Sequence, residues 1–370
     1  MYRQIRLHPE DTQYQKILWR SSPDQPIKGF KLNMVTYGTA SAPFLAICCL
    51  KQLADDESKE FPLGAQAFKK DFYVDDLLTG ACNFEVASEL RDEIIGLAKV
   101  GCLNLGQWSS NDFNLVKHLT TNMDQKAICL DTNDNKKMLG IHWNPCLDNL
   151  FYTIKPFAPE VRIIKRTILS QIAQFFDPLG LLGPVIVKAK IIMQKLWKAK
   201  IEWDESIPYE LNEMWISYRN ELHLLNKFNA KHRVIIENAV DFQLHGFADA
   251  SETAYGACIF LRTSNEDKKH YVSLLCAKSR VAPVKTIFLP RLELCAASLL
   301  VKLYKEVKSS LVNIQFNKCR FWSDSTIVLH WIKSSPYVLK TFVANRVSDI
   351  QSSTDSEDWF CYVRLREQAS

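Results

Sequence analysis

Five acidic side chains stand where ordinary surface charge is out of place. In FYVDDLLTG, Asp75 and Asp76 adjoin inside an apolar run. Neighbouring carboxylates repel, and burying them without partners is costly. Two explanations stay open. One is a hairpin turn, because Asp suits turn positions between apolar strands. The other is a metal site, because paired carboxylates offer the hard oxygen ligands that Mg²⁺ prefers. Asp249 lies in HGFADAS inside an apolar strand pattern, Glu293 in the first turn of an otherwise apolar helix pattern, and Asp324 at the carboxyl end of the strand pattern in CRFWSDSTIVLHWI. α/β folds tend to build sites at the carboxyl ends of strands. Each residue also has a local explanation: a lead into a turn, a helix dipole, an N-terminal helix position. Convergence explains all three together. Carboxylates that meet in space hold two Mg²⁺ ions ~4 Å apart and stabilise both the attacking and leaving oxygens of a phosphodiester.

These residues need elements to position them. SAPFLAICCLKQL reads as a helix with Pro43 near its first turn. AFKKDFYVDDLLTG reads as strand, tight turn, strand. NFEVASELRDEIIGLAKV then places Val86, Leu90, Ile94, Ile95 and Leu97 at a helical period, with Gly101 beyond its end. KMLGIHW and LFYTIKPF read as short strands. From about residue 160 to 225 the pattern is mostly helical and is broken by the Pro-Gly cluster of FFDPLGLLGPV. Trp197, Trp203 and Trp215 read there as core or interface anchors. After residue 234, FQLHGFADAS, AYGACIFLR and HYVSLLCAKS are three consecutive strands, followed by a helix opening at Pro290, a strand and a helix. The expected fold class is therefore α+β in the first part and α/β in the last, with a mixed sheet.

Composition bounds the partners loosely. The chain has 370 residues, 47% hydrophobic and 24% charged, with a net charge of +5, which permits a nucleic-acid partner without demanding one. Arg162, Lys165, Arg166, Lys188, Lys190, Lys195, Lys198 and Lys200 face only Asp177 as an opposing charge within their stretch. Two readings stand side by side: a phosphate-facing surface and a solvated helix face. The 11 cysteines form no C-x-x-C pair and no zinc spacing, which suits a reduced, intracellular chain. The sequence shows no signal core and no apolar run of membrane-spanning length. DTN at Asp131 lacks the context of an aspartic protease.

GFADASETAYGA, LPRLELCAA and WSDSTIVLHWI resemble the ribonuclease H portion of BEL/Pao-type LTR retrotransposon polyproteins. The earlier segments agree in order. MYRQIRLHPEDTQYQKILWR resembles the strand and turn after the first catalytic motif of a reverse transcriptase. VTYGTASAPFLA resembles the template- and nucleotide-contacting motif, FYVDDLLTG the polymerase catalytic hairpin, and ILSQIAQFFDPLGLLGPV the family's connecting region. The resemblance runs to about residue 350. It implies a partial reverse-transcriptase palm over 1–150, a helical thumb or connection region over 151–233, a ribonuclease H-like domain over 234–350, and a divergent tail over 351–370.

The resemblance also implies roles. Asp75 and Asp76 would serve the polymerase metal site, and Tyr2, Gly38, Ser41, Pro43 and Tyr73 the nucleotide and template. Asp249, Glu293 and Asp324 would bind Mg²⁺, or Mn²⁺, and cleave RNA in an RNA–DNA hybrid, with the basic middle region along the hybrid backbone. The expected partners are RNA, DNA, their hybrid and deoxynucleotides, with no membrane. The expected location is the cytoplasm, in a virus-like particle for the intact family, or the nucleus. Three departures temper this. The family's first polymerase aspartate would fall four residues before Met1. Gly106 and Gln107 stand where the family often has a basic pair, and DSEDWFCYVRLREQAS lacks the family's fourth carboxylate. The expectation is an enzyme without polymerase activity and with weak ribonuclease H activity. The alternative is a catalytically inactive nucleic-acid-binding or degenerate transposon remnant.

Overall fold

A computed structural model describes residues 1–119, 136–138, 141–154 and 162–362. The chain divides into two compact units, Met1–Asp134 and Asn135–Ser370. Asp131 and most of the sequence after Trp359 lie outside the described residues.

In the first unit, β1 (Lys16–Trp19) and β2 (Lys28–Lys31) form an antiparallel ribbon whose residues are all exposed. Three helices make the core: α1 (Ala42–Asp56), α2 (Pro62–Lys70) and α3 (Phe84–Val100). Proline occupies a first-turn position in α1 and α2, where no hydrogen-bonded N–H is lost. The Asn83 side chain caps α3 by accepting from the Val86 N–H at 2.9 Å. Leu50, Ala54, Ala65, Phe68, Ile94 and Leu97 are buried together, and Met1, Phe72 and Leu77 pack against them. Phe72 and Leu77 anchor a short hairpin, β3 (Phe72–Tyr73) and β4 (Asp76–Leu77), to that core. A one-turn helix, α4 (Phe113–Val116), follows.

Among its described residues the second unit holds two sheets. The first is antiparallel, in the order β5 (Lys136–Met138), β6 (Ile141–Asn144), β7 (Asn149–Phe151), β8 (Asn229–Lys231). Between β7 and β8 run α5 (Lys165–Ile172), α6 (Gly183–Lys198) and α7 (Tyr209–Glu221) around Ile168, Ile192, Leu196 and the fully buried Trp215. Trp197, by contrast, is 50% exposed. Because β8 pairs with β7, the described residues between 141 and 231 close into one structural piece.

The second sheet has the order β11-β10-β9-β12-β13. β9 (Ala239–Ala250), β10 (Ala254–Asn265) and β11 (His270–Val281) form an antiparallel meander; β12 (Lys318–Ser323) lies parallel to β9, and β13 (Trp359–Cys361) parallel to β12. The sheet thus continues past residue 350, where the ribonuclease H region was expected to end, and Trp359 is buried in its core. Burial alternates along β10 with the two-residue period of a strand. Leu244, Ala248, Ile259, Leu261 and Phe321 pack with α8 (Leu289–Ser310) through Leu294, Ala297, Leu300, Val301 and Tyr304. Two further helices, α9 (Thr326–Lys333) and α10 (Thr341–Gln351), complete this core through Val328, Ile332, Val343 and Val347.

The connecting cluster FFDPLGLLG docks on β11. The Ala277 N–H donates to the Leu179 carbonyl at 2.8 Å, and Ser279 Oγ donates to the Gly183 carbonyl. Asp177 shapes this loop, accepting from Tyr152 Oη at 2.8 Å and from the Leu182 N–H at 2.8 Å. Burial and the Asp177 hydrogen bond hold the Tyr152 hydroxyl well above its ordinary pKa.

His245 carries a pH-dependent contribution to stability. Trp322 Nε1 donates to His245 Nδ1 at 3.4 Å, a bond that needs a neutral acceptor. Burial first, then the Arg320 and Arg262 charges, lower the His245 pKa. A depressed histidine binds its proton more readily in the unfolded chain, so the stability it contributes is present above about pH 6.5 and lost as pH falls below it. The melting temperature should drop between about pH 7.5 and pH 5.5, and His245→Asn should flatten that drop in a calorimetric series. An unchanged slope in the variant would refute the role of His245.

Candidate metal centre

The carboxyl end of β9 and that of β12 lie side by side, because the parallel register pairs Ala248 with Ser323. One residue further, Asp249 is still in β9, and Asp324 is the single residue between β12 and the N-cap of α9. The sequence Ser-Asp-Ser fixes Asp324 from both sides. Ser323 is fully buried and its Oγ accepts from the Ser325 N–H, while Ser325 Oγ accepts from the Val328 N–H as the cap of α9. On the other side of the hairpin from β9, the Ser251 N–H donates to the Ala254 carbonyl at 2.7 Å and closes the turn into β10.

Glu293 comes from α8 and is 7% exposed. The helix begins at Leu289, so Glu293 is beyond the first turn, which contains no acidic residue. Attraction to the helix dipole, one of the local explanations for this glutamate, therefore weakens. One oxygen from each of Asp249, Glu293 and Asp324 lies within 4.8 Å of the others. Among the described residues this is the group of three or more potential metal-ligating side chains. At an effective dielectric of ~20, two unit charges at that separation repel by about 3 kcal/mol. A set made solely of carboxylate oxygens suits a hard divalent cation such as Mg²⁺ or Ca²⁺ rather than a soft metal.

The other aspartate pair is arranged differently. Tyr73 pairs with Asp76, so the two-residue hairpin loop is Val74–Asp75, and Asp76 belongs to β4. The register thus separates the two acids: one at the tip, one in the strand. Val74 has φ of +58°, a left-handed conformation that is a genuine outlier for a β-branched residue. Such strain gathers at functional turns. Asp75 and Asp76 are both exposed. Partial burial first, and the Asp75 charge second, raise the pKa of Asp76. No third acidic side chain joins them among the described residues. Tyr2 sits in a 3-10 turn, Gly38 has φ of +87°, Ser41 is the N-cap of α1, Pro43 is in its first turn, and Tyr73 is 55% exposed in the hairpin. Ile5 and Leu7 are tied to Val35 and Asn33 by backbone hydrogen bonds, which lays the N-terminal segment along the residues leading to Gly38.

Residues 164–325 match the family described as "Pao retrotransposon-like RNaseH-like domain". That stretch is similar to the RNase H-like part of BEL/Pao-type retroelement Pol proteins. No curated protein matches it. Among solved structures, it is similar to a foamy viral protease–reverse transcriptase in complex with double-stranded DNA, at 11% identity and a TM-score of 0.46, covering 98% of this chain and 54% of that one. It is similar also to RNase H1 from the halophilic archaeon Halobacterium salinarum NRC-1, at 11% identity and a TM-score of 0.22, covering 33% of this chain and 86% of that one. The N-terminal RNase H domain of a Mycobacterium tuberculosis protein, fused to maltose-binding protein, matches at 10% identity and a TM-score of 0.22, covering 34% and 85%. With TM-scores below 0.5, these likenesses decide nothing about this chain.

The Pao-type match begins at Ile164, the N-cap of α5, and ends one residue after Asp324, so it spans the helical region and all three converging carboxylates. The basic stretch from Arg162 to Lys200 splits by destination. Lys165 is only 4% exposed: its Nζ donates to the Ile201 carbonyl at 2.8 Å and lies 3.6 Å from the centre of the Trp197 ring. Arg166 pairs with Asp204 through two hydrogen bonds of 2.8 Å, and Arg162 donates to Ser206 Oγ. Lys195 lies near the Met214 sulfur at 3.6 Å. Lys188, Lys190, Lys198 and Lys200 remain exposed. The expected phosphate-facing surface is therefore narrower than the charge count implied, because Lys165 serves packing and Arg166 an ion pair. Sequence reasoning also missed the docking of the connection by Tyr152 and Asp177. An aspartate followed by Pro-Leu-Gly was visible as a turn, but its partner 25 positions away was not.

Proposed function

We propose that Asp249, Glu293 and Asp324 carry divalent-metal-dependent cleavage of RNA in an RNA–DNA hybrid. The observation that carries this is the convergence of three carboxylates from β9, α8 and the end of β12 within one Pao-type RNase H-like stretch. Bound there, Mg²⁺ or Mn²⁺ supplies charge stabilisation for the attacking and leaving oxygens of a phosphodiester. The chain's own residues supply position. β9 and β12 hold two carboxylates in register, and α8 brings the third from a buried face, so the oxygens need little reorganisation. Purified chain should cut the RNA strand of a hybrid when Mg²⁺ or Mn²⁺ is present and leave duplex DNA intact. Background-level cleavage by folded protein would leave nucleic-acid binding without catalysis as the surviving reading. Such a protein would work inside the cell, on RNA, DNA and their hybrid.

The first unit fits a reverse-transcriptase palm in which Asp75 and Asp76 form the metal-binding turn, with Tyr2, Gly38, Ser41, Pro43 and Tyr73 toward nucleotide and template. The strained Val74 supports that reading. Nucleotidyl transfer requires metal ions clamped on both attacking and leaving oxygens, and the hairpin pair has no third acid beside it among the described residues. We therefore expect no primer extension on an RNA template by this chain alone, with deoxynucleotides and Mg²⁺ supplied. Robust extension that disappears in Asp75→Asn would overturn this. On this reading residues 151–233 act as thumb or connection, and the exposed Lys188, Lys195 and Lys198 of α6 follow the hybrid.

A further inference from the structure

Two arginines from different helices stack on one aromatic ring. The Arg291 guanidinium carbon lies 5.1 Å from the centre of the Phe342 ring, and that of Arg346 lies 3.7 Å from it. Arg346 Nη1 also donates to the Phe342 carbonyl at 3.0 Å. Both arginines are partly buried, and neither has an ion-pair partner among the described residues. The surroundings add positive potential. Arg291 is in the first turn of α8 and Phe342 in that of α10, and neither first turn contains an acidic residue. Lys340, exposed, is the N-cap of α10. A cation at a helix N-terminus opposes the dipole. Two like charges on one ring add a second conflict. Local conflicts of this kind are retained where a ligand resolves them.

We infer that Arg291 and Arg346, gathered at Phe342, bind the backbone phosphates of the nucleic acid as a clamp. This rests on the hybrid-cleavage reading. A guanidinium beside an aromatic ring keeps N–H donors whose fork geometry matches phosphate oxygens. The clamp does not hold the phosphate to be cut. Arg291 precedes Glu293 by two residues on α8, which is about 200° around the helix. The anchored phosphate therefore sits on another part of the backbone and sets the register of the strand entering the carboxylate centre.

The test is equilibrium binding of a labelled hybrid whose RNA strand is 2′-O-methylated throughout, measured by fluorescence anisotropy in EDTA, so that neither metal nor cleavage enters. Arg346→Ala and Arg291→Gln should each weaken binding about tenfold and make the dependence of log affinity on log salt shallower by about one. Single methylphosphonates stepped along each strand should reveal one position that weakens the unmodified protein but not the double variant. In cleavage assays KM should rise while kcat is kept. Variants that bind like the unmodified protein, with the same salt slope, would overturn the clamp and leave the nuclease reading intact. No binding by the unmodified protein would overturn both. If Arg346→Ala melts early, Arg291→Gln decides, because its ring contact is the longer one.

Discussion

Asp249→Asn is expected to abolish metal-dependent cleavage of an RNA–DNA hybrid while leaving binding of a non-cleavable hybrid in place. The substitution keeps shape and removes one charge from a centre built of three carboxylates. Asp249 belongs to β9, held by pairing with β10 on one side and β12 on the other, so the backbone has no reason to move. The lost interaction is the one made when charge develops on the phosphodiester, and metal-borne stabilisation of that charge is worth several kcal/mol. At ~1.4 kcal/mol per factor of ten, single-turnover cleavage should fall by about a thousandfold or more. Glu293→Gln should fall comparably, since Glu293 is the most buried of the three. Titration with Mg²⁺ gives a second readout: each variant should need a higher concentration for any residual rate. Cleavage by Asp249→Asn at the unmodified rate would remove this residue from the centre, and with it the proposed chemistry.

Gly180→Ala should strongly destabilise the second unit. Gly180 has φ of +74°, and a Cβ added there would lie 1.7 Å from the Ala277 carbonyl oxygen. The obstacle is backbone of β11 rather than a movable side chain. Left-handed strain costs ~1–2 kcal/mol for a non-glycine residue, and the clash forces the connection off the sheet, losing the Leu179–Ala277 hydrogen bond as well. Together about 3–5 kcal/mol is expected, in the range reserved for steric and backbone faults. For a unit of this size that corresponds to a melting temperature lower by roughly 10 °C. Gly183→Ala is the control, because its added Cβ would be 3.8 Å from Ser279 Oγ, an ordinary contact. Equal melting of Gly180→Ala and the unmodified chain would show that the loop does not need that approach.

The carboxylate centre was legible because its residues stand at ends of elements that periodicity finds. Asp249 could be placed inside an apolar strand pattern leading into a turn, and Asp324 at the carboxyl end of another. That they meet depends on β12 pairing with β9 in parallel, a long-range register that no local pattern carries. Glu293 was placed in a first turn because Pro290 marks a helix start. The helix begins at Leu289, only one residue earlier, yet this is enough to move the glutamate past the dipole's reach. The hairpin at Asp75 was found, but its register was not: apolar residues on both flanks permit either pairing, and Val74 was the one forced into the turn. Counting basic residues between Arg162 and Lys200 gave a sign but no direction. Lys165 points inward onto Trp197, which explains both the buried ammonium and the half-exposed indole. The arginine pair on Phe342 was invisible because Arg291 and Arg346 are brought together only by the packing of α10 on α8.

The seat of the connection on β11 has a consequence for how these molecules behave in a crowd. An open strand edge is a template on which another chain can crystallise a further strand, and long flat edges seed aggregates. Here the long outer edge, His270–Val281, is already engaged at Ala277 by the Leu179 carbonyl and is backed by α6. The opposite edge strand, β13, is three residues long. A neighbour attempting to extend the sheet meets either a margin already occupied at Ala277 and Ser279 or a short strand. The loop that joins the helical region to the sheet therefore also covers part of an edge on which a further strand could otherwise pair.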